Sequence, residues 1–205
     1  MKIALNAVLI LLSALLIYLL IETIRKPIDF KETREFREEN VRERLKQTAS
    51  LQKLHKSLRK VYASSYDSLK YVLMNDSFEM EMVTGDKFDT NQVVTSAQIK
   101  IPALDSLKSI IAMKGPRKDM TIDEYFNFIS TVPFSGGQKF YLKTGQAIVE
   151  GTDSLFAPTF EAGTTIGTYM SEYDSASHVI YDPDYNPGFI RKVGDLNKPS
   201  TTGNW

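Results

Sequence analysis

The sequence predicts an α+β protein that begins with one membrane-spanning helix. This prediction depends on three features: an uncharged apolar run near the N-terminus, helical periodicity behind it, and short strand-like segments separated by Gly, Asp and Pro in the second half. Helical patterns come first and strand patterns later, without β-α-β alternation, which favours a mainly antiparallel sheet. Residues 1–26 are predicted to form a transmembrane anchor. Residues 27–62 are predicted to form an amphipathic basic helix, here called the stalk. Residues 63–205 are predicted to form an acidic α+β domain, here called the head.

The anchor is predicted from an apolar run, Ile3 to Ile21, that contains no charged residue. A helix of about 20 apolar residues crosses the hydrocarbon core of a bilayer. The apolar part of a secretory signal is shorter, about 7–15 residues, and precedes a small-residue cleavage site. The following ETIRKPIDF contains no such site, so the segment is predicted to be an uncleaved, single-pass anchor.

The charges beside the anchor leave its orientation open. Several basic residues follow the span closely, whereas only Lys2 precedes it. The positive-inside rule would therefore place the head in the cytoplasm. The mixed charge of the stalk argues the other way, and long domains can be translocated regardless of flanking charge.

One face of the anchor is a candidate surface for a partner helix. Asn6 and Ser13 are seven positions apart and share a helix face, with Ala7 and Ala14 beside them. Small and weakly polar residues allow close approach and hydrogen bonding between helices in a membrane. The alternative is that single polar residues near a helix end are tolerated against lipid headgroups. We expect these four residues to contact an integral membrane protein.

The stalk is predicted to be helical from about Lys31 to Tyr62. Pro27 is expected to end or kink the membrane helix, because proline lacks the amide donor. Apolar residues recur at helical spacing, and the last four predict one buried stripe: Phe36, Val41, Leu45, Leu51, Leu54, Leu58 and Val61. The stripe predicts a helix whose apolar side packs on the head.

The chain divides its charge between the stalk and the head. Formal net charge is zero, but 12 Lys and Arg stand against 6 Asp and Glu from Arg25 to Tyr62, and 12 against 18 from Ala63 onward. A basic helix can bind anionic lipid or nucleic acid. The interleaved glutamates favour a solvated face instead, so no nucleic-acid partner is predicted.

The first half of the head is predicted to be mostly helical. A short helix follows Ser65 or Asp67 as its cap, and a half-buried strand is expected at Ser77–Val83, with a second at 91–101. A further helix is expected at 103–113. Thr121 and Glu124 match a capping box, and Met120 and Tyr125 occupy the hydrophobic-staple positions, so a helix is predicted from Ile122 to Ile129.

The second half of the head is predicted to be short strands divided by turns. The segments are QKFYLKT, QAIVEG, SLFAPTFEA, HVIYD and GFIRKV. Gly, Asp and Pro between them indicate turns. A sheet built from such segments is expected to be antiparallel.

No combination of residues in the chain predicts catalysis or metal binding. The chain has no Cys and two His, which lack ligand spacing. Asp182, Asp184 and Asn186 resemble the start of a calcium loop, but Pro187 stands at the glycine position and Val193 at the twelfth, so a turn is the better interpretation. We predict a non-enzymatic protein without cofactor, metal or small-molecule substrate.

Several segments together resemble a family of single-pass envelope proteins of the Bacteroidota. They are RKPIDF, VYASSYDSLKYVL, VPFSGGQKFYL, LFAPTFEAG, NPGFIRKVGDL and the final TGNW. The resemblance implies an inner-membrane protein with a periplasmic head. It also implies an accessory subunit of proton-motive-force-driven machines of the ExbB–ExbD–TonB type, with integral membrane proteins as partners. This resemblance decides the orientation that the charges leave open.

A second, local resemblance is to type IV pilins and pseudopilins, in which an apolar helix continues into an amphipathic helix packed on a sheet. The chain lacks their basic leader with a glycine cleavage site and the glutamate near the start of the mature helix. A pilin-like layout therefore stays possible, with a pseudopilin or secretion scaffold as an alternative function. A cell-wall or carbohydrate-binding module is a further alternative, supported by the 10 Tyr and 11 Phe.

The single tryptophan, Trp205, is the last residue. Burial of an indole ring stabilises a fold by a few kcal/mol, on the order of 25 cal/mol per Å² of apolar area. We expect Trp205 to dock on its own head as a C-terminal anchor.

Overall fold

A computed structural model describes residues 2–84, 95–116, 119–149, 151, 154–173 and 181–205. The helices within them are α1 (Lys2–Arg59), α2 (Tyr66–Asn75), α3 (Ala103–Lys114), α4 (Ile122–Ser130) and α5 (Ile166–Tyr169). The strands are β1 (Ser77–Thr84), β2 (Thr95–Pro102), β3 (Tyr141–Ile148), β4 (Phe156–Thr165) and β5 (Ile190–Gly194). β1 pairs with β2, and β3, β4 and β5 form a second sheet in that order, all antiparallel. The predicted α+β class is confirmed.

Helix α1 runs without interruption through the predicted junction between anchor and stalk. Pro27 lies inside it, so the expectation that the helix ends there is wrong. Proline removes one backbone hydrogen bond, and this loss is offset by packing of the following turns against the head, which begins at Phe30. The helix ends at Arg59 rather than Tyr62, because Lys60 adopts a left-handed conformation with φ of 63°.

The C-terminal half of α1 forms the back of two adjoining hydrophobic clusters. The first packs Phe30, Val41 and Leu45 against the three-stranded sheet. The second packs Leu51 against α2, α3 and α4. The helix is therefore part of the core of the head rather than a separate spacer.

Of the four residues predicted to form one buried stripe, Leu51 is buried and Leu54 and Leu58 pack partly buried against the second cluster, whereas Val61 does not. Val41, Leu45 and Leu51 are at most 1% exposed. Val61 is 51% exposed because the helix has already ended. Phe36 is 63% exposed, although its ring lies 5.9 Å from that of Phe134 in the head.

The local helix signals of the head are confirmed. Ser65 caps α2 by accepting a hydrogen bond from the Ser68 amide. Thr121 and Glu124 form both bonds of the capping box that begins α4. These interactions lie within a few residues, so sequence alone specifies them.

The strand predictions need two corrections. QKFYLKT and QAIVEG are parts of one strand, because Gly145 lies inside β3 and not in a turn. The first predicted strand exists as β1, but Met80 is 56% exposed rather than buried. The predicted strand HVIYD falls mainly on residues 178–180, which lie outside the described residues. The short helix α5 had no sequence signal.

Candidate functional site: the junction of the apolar helix segment and the head

The first part of α1 is apolar, and from Asn6 to Ile21 none of its side chains is buried against the described residues of the head. From Val8 to Ile24 its large apolar side chains are 48–70% exposed. In the described part of the chain, α1 is the one helix long and apolar enough to cross a membrane. This composition is compatible with a single-pass anchor.

The predicted partner-facing residues all lie on this exposed part of α1. Asn6, Ala7, Ser13 and Ala14 are exposed. The Ser13 hydroxyl donates to the Leu9 carbonyl at 2.8 Å, so it is satisfied within its own helix. Contact of this face with another helix stays a prediction.

The first residue of α1 that is buried in the head is Phe30. Its ring lies 5.2 Å from the ring of Tyr173 and 5.4 Å from that of Tyr185, both edge-on. The ring of Tyr181 lies 6.2 Å away. Edge-to-face pairs contribute about 0.5–1.5 kcal/mol each beyond burial of area. This aromatic group fixes α1 to the head at the end nearest the apolar segment.

Next to the aromatic group, a network of ion pairs joins α1 to the end of the sheet. Glu38 accepts from Arg191 Nη2 at 3.1 and 3.2 Å and from Arg34 Nε at 3.2 Å. Arg34 Nη1 also donates to Asp182 Oδ2 at 2.6 Å. The side chains of Arg34, Glu38, Arg191 and Asp182 are only 8–19% exposed, so each charge depends on its partners. We call these four residues the junction network.

Arg37, one helical turn after Arg34, adds a second connection between α1 and the head. Its Nη1 donates to the Tyr169 carbonyl at 2.7 Å, and its Nη2 lies 3.0 Å from Glu172. The guanidinium also lies 5.0 Å from the Phe134 ring centre. A planar cation with several donors suits such a site, where one side chain satisfies a carbonyl, a carboxylate and a ring.

The junction network raises the pKa of its member Arg34 and, through Glu38, that of the neighbouring Tyr169. Burial lowers the pKa of Arg34, but its hydrogen bonds and charge interactions with Glu38 and Asp182 more than offset this, and the net pKa is raised. Burial raises the pKa of Tyr169, and the neighbouring Glu38 charge raises it further. Arg34 stays charged and Tyr169 neutral at physiological pH, which preserves the pairing.

Trp205 packs on the outer side of α1 beside the junction network. Its ring lies over the Arg42 guanidinium at 6.0 Å and lines a small cavity with Val41 and Leu45. It remains 39% exposed. The ring also lies against Gly203, where an added Cβ would come within 2.1 Å of it. Trp205 thus contacts the stalk part of α1 and Arg191 of the head, and it is exposed rather than buried in the head; its role as a C-terminal anchor stays a prediction.

The C-terminal tail that carries Trp205 extends the sheet. Gly194 N donates to Thr202 O at 2.9 Å, and Asn204 N donates to Lys192 O at 3.2 Å. These bonds place the tail along the outer edge of β5.

The opposite charges of stalk and head serve internal pairing. Arg34, Arg37 and Arg59 of α1 pair with Asp182, Glu172 and Asp76 of the head. Part of the basic face is thereby neutralised within the chain. Asp182 is paired in this way with Arg34. The described residues contain no group of three or more His, Cys, Asp or Glu that could hold a metal ion.

Sequence reasoning did not find the junction network. Glu38 and Arg191 are 153 positions apart, and nothing in either local pattern indicates their pairing. The segment Asp182 to Asn186 forms turns, as the preferred interpretation of the sequence predicts, but nothing in its pattern indicates the pairing of Asp182 with Arg34. Comparison of the chain with protein-family models, with curated proteins and with solved structures gives no match. The resemblance to Bacteroidota envelope proteins stays a prediction from the motifs quoted above.

Proposed function

We propose that the protein is a non-enzymatic, single-pass membrane subunit of a cell-envelope complex. The observation that carries this proposal is the continuity of α1, which is exposed and apolar at one end and forms the core of the head at the other. A helix bound at both ends holds the head at a fixed distance and rotation relative to whatever contacts the apolar end.

The proposed role is positional. The aromatic group around Phe30 and the junction network remove the usual freedom between an anchor and a soluble domain. A movement of a partner's transmembrane helix against Asn6, Ala7, Ser13 and Ala14 would therefore pass to the head as a rigid motion. The head would lie in the periplasm, and the complex would be a proton-motive-force-driven machine of the ExbB–ExbD–TonB type.

The partner-face proposal is tested by purification from native membranes in a gentle detergent, with mass spectrometry of the recovered proteins. Ala14→Leu should lose the partner, because close approach needs a small residue. Leu12→Phe enlarges the opposite helix face and is the matched control, which should keep it. Recovery of the wild-type protein alone and monodisperse would overturn the proposal, as would equal partner recovery with both variants.

The orientation is tested separately by labelling. The chain has no cysteine, so a single Met113→Cys variant, at a side chain that is 78% exposed, reports one site. A membrane-impermeant maleimide should label it in cells whose outer membrane alone is permeabilised. Labelling only after lysis of the inner membrane would place the head in the cytoplasm.

A further inference from the structure

Strand β3 presents an open edge. The three-stranded sheet has the order β3-β4-β5, so within the described residues β3 pairs with β4 on one side and with no strand on the other. The tail covers the opposite edge along β5. Residues 143–146 of β3 are exposed. Natural sheets usually cover or blunt such an edge, because its free amides and carbonyls can pair with another chain.

The hydrogen bonds identify which residues face this edge. Val149 N donates to Leu155 O, and hydrogen-bonded pairs alternate along an antiparallel ladder. Every second residue of β3 therefore bonds to β4. The amides and carbonyls of Leu142, Thr144 and Gln146 point outward.

A segment of the chain already pairs with this edge just before β3. Val132 N donates to Gln138 O at 2.7 Å, and Phe140 N donates to Ser130 O at 2.9 Å. The pairing stops there because Ser130 is the last residue of α4. The edge is thus able to accept a strand, and it is open from Leu142 onward.

Two clefts follow the open edge. One of about 480 Å³ is lined by Phe140 and Leu142, by α4 and by the start of α2. The other, of about 300 Å³, is lined by residues 144–146 of β3, by Val61 and Tyr62, and by Pro158 and Thr159 of β4, so it reaches from the edge over the adjoining face of the sheet. We call these two clefts together the edge groove.

The wall of the edge groove opposite β3 is the connector between α1 and α2, residues 60–65. Its backbone bonds to α1 and not to β3: Gln52 exchanges two bonds of 2.9 Å with the amide and carbonyl of Ala63. The Val61 carbonyl lies 2.8 Å from His55 Nδ1. The connector therefore stands beside the edge without occupying its hydrogen-bonding groups.

The larger cleft has an aromatic floor and a charged rim. Phe126 and Phe140 are 5% and 4% exposed at its base. Lys139 is exposed on its rim and makes no ion pair with any described residue. Asp123 on the same rim is paired with Lys70. The two rings are already covered by the protein, and the accessible feature of the rim is Lys139, which can pair with a carboxylate of a ligand.

We propose that the edge groove binds an extended peptide segment of a partner protein, which adds to β3 as a fourth strand. Backbone bonds to Leu142, Thr144 and Gln146 supply affinity, as in other β-strand additions. A carboxylate at Lys139 supplies selectivity. The inference goes beyond the proposed function, because it concerns the head and is independent of the membrane anchor.

A lone strand fits this site better than two other ligands. A second copy of the chain, pairing β3 with β3, would bring Lys143 close to its own copy and supply no carboxylate to Lys139, because β3 contains no acidic residue. A glycan would need an exposed aromatic face for stacking, whereas the rings of Phe126 and Phe140 are buried.

The test begins with the purified full-length protein in detergent micelles and a phage-displayed library of linear twelve-residue peptides. Selected peptides are synthesised and titrated by fluorescence anisotropy. Thr144→Pro removes an outward amide without removing a bond to β4, and proline is tolerated at such edge positions. It should weaken binding at least tenfold, whereas the control Thr144→Ala should change it less than about twofold.

Amide exchange of the wild-type protein gives a readout that needs no variant. Bound peptide should slow exchange at Leu142, Thr144 and Gln146, with no change at Lys143 and Gly145, which bond to β4 already. Lys139→Glu should weaken peptides that carry a carboxylate and spare those that lack one.

Four outcomes would overturn the proposal. They are failure to select any peptide, unaltered affinity with Thr144→Pro, protection outside β3, and preferential binding of N-acetylglucosamine oligomers in the same cleft. A concentration-dependent dimer in light scattering that Thr144→Pro abolishes would assign the edge to a second copy instead. None of these results depends on the membrane partner, so failure here is distinguishable from failure of the proposed function.

Discussion

Glu38 is the residue whose loss should most weaken the junction between α1 and the head. It is only 12% exposed and accepts bonds from both Arg34 and Arg191. In Glu38→Ala, Arg34 keeps Asp182 as a partner, whereas Arg191 loses its carboxylate at a side chain only 19% exposed. Hydrogen bonds to charged groups contribute about 1.5–3 kcal/mol each, and a stranded, partly buried charge adds a cost. Because some water still screens the site, we expect a loss of about 2–3 kcal/mol in the free energy of unfolding.

Glu39 provides a matched control one position away. Its side chain is 54% exposed and pairs with Arg42 on the helix surface. Exposed pairs contribute little, so Glu39→Ala should cost at most about 0.5 kcal/mol. Glu38→Gln keeps the shape of the side chain and one acceptor oxygen. Its loss in the free energy of unfolding should fall between those of Glu38→Ala and Glu39→Ala.

The assay is urea unfolding of the full-length protein in detergent micelles. Trp205, the one tryptophan of the chain, lies beside Glu38 and Arg191 and reports on the junction by its fluorescence. Far-ultraviolet circular dichroism reports on the whole fold. If Glu38→Ala and Glu39→Ala have the same unfolding free energy, the junction network does not hold α1 to the head.

Three further predictions concern the tail, the core and pH. Deletion of residues 203–205 should lower the melting temperature of the head by a few degrees, because it removes the indole contact and part of the pairing along β5. An unchanged melting temperature would show that Trp205 does not stabilise the fold. Gly194→Ala should lower the melting temperature more than Gly151→Ala does. Both glycines have positive φ, but only at Gly194 would an added Cβ collide with a backbone oxygen, that of Phe160. Equal losses of melting temperature would exclude the steric effect. Burial raises the pKa of Tyr66 to about 12, so its contribution is complete below about pH 10 and is lost as the pH rises towards 12. Tyr66→Phe should reduce the slope of unfolding free energy against pH in that range, and an unchanged slope would contradict the shift.

Sequence alone could specify the parts of this fold that depend on neighbours in the chain. The capping box of Thr121 and Glu124 needs residues three apart, and the apolar run of the anchor needs only composition. Both were therefore predictable. The centre of the α1 stripe, at Val41 and Leu45, follows from helical spacing in the same way.

The rest depends on contacts that local rules do not contain. Pro27 and Gly145 are usual breakers, yet each lies inside a regular element because packing elsewhere outweighs the local cost. Phe30 meets rings more than 140 positions away. The open edge of β3 is a property of strand order, which no single segment determines.

The central claim is that one unbroken helix carries the apolar segment into the head. Spin labels at Leu16→Cys and Glu43→Cys flank Pro27 and lie about 40 Å apart along a continuous helix, at about 1.5 Å per residue. Lys31→Cys and Ser57→Cys span a similar length after Pro27 and serve as the control. Double electron–electron resonance in micelles should give equally narrow distance distributions near 40 Å for both pairs. A broad or clearly shorter distribution for the first pair alone would reveal a hinge at Pro27 and contradict the account.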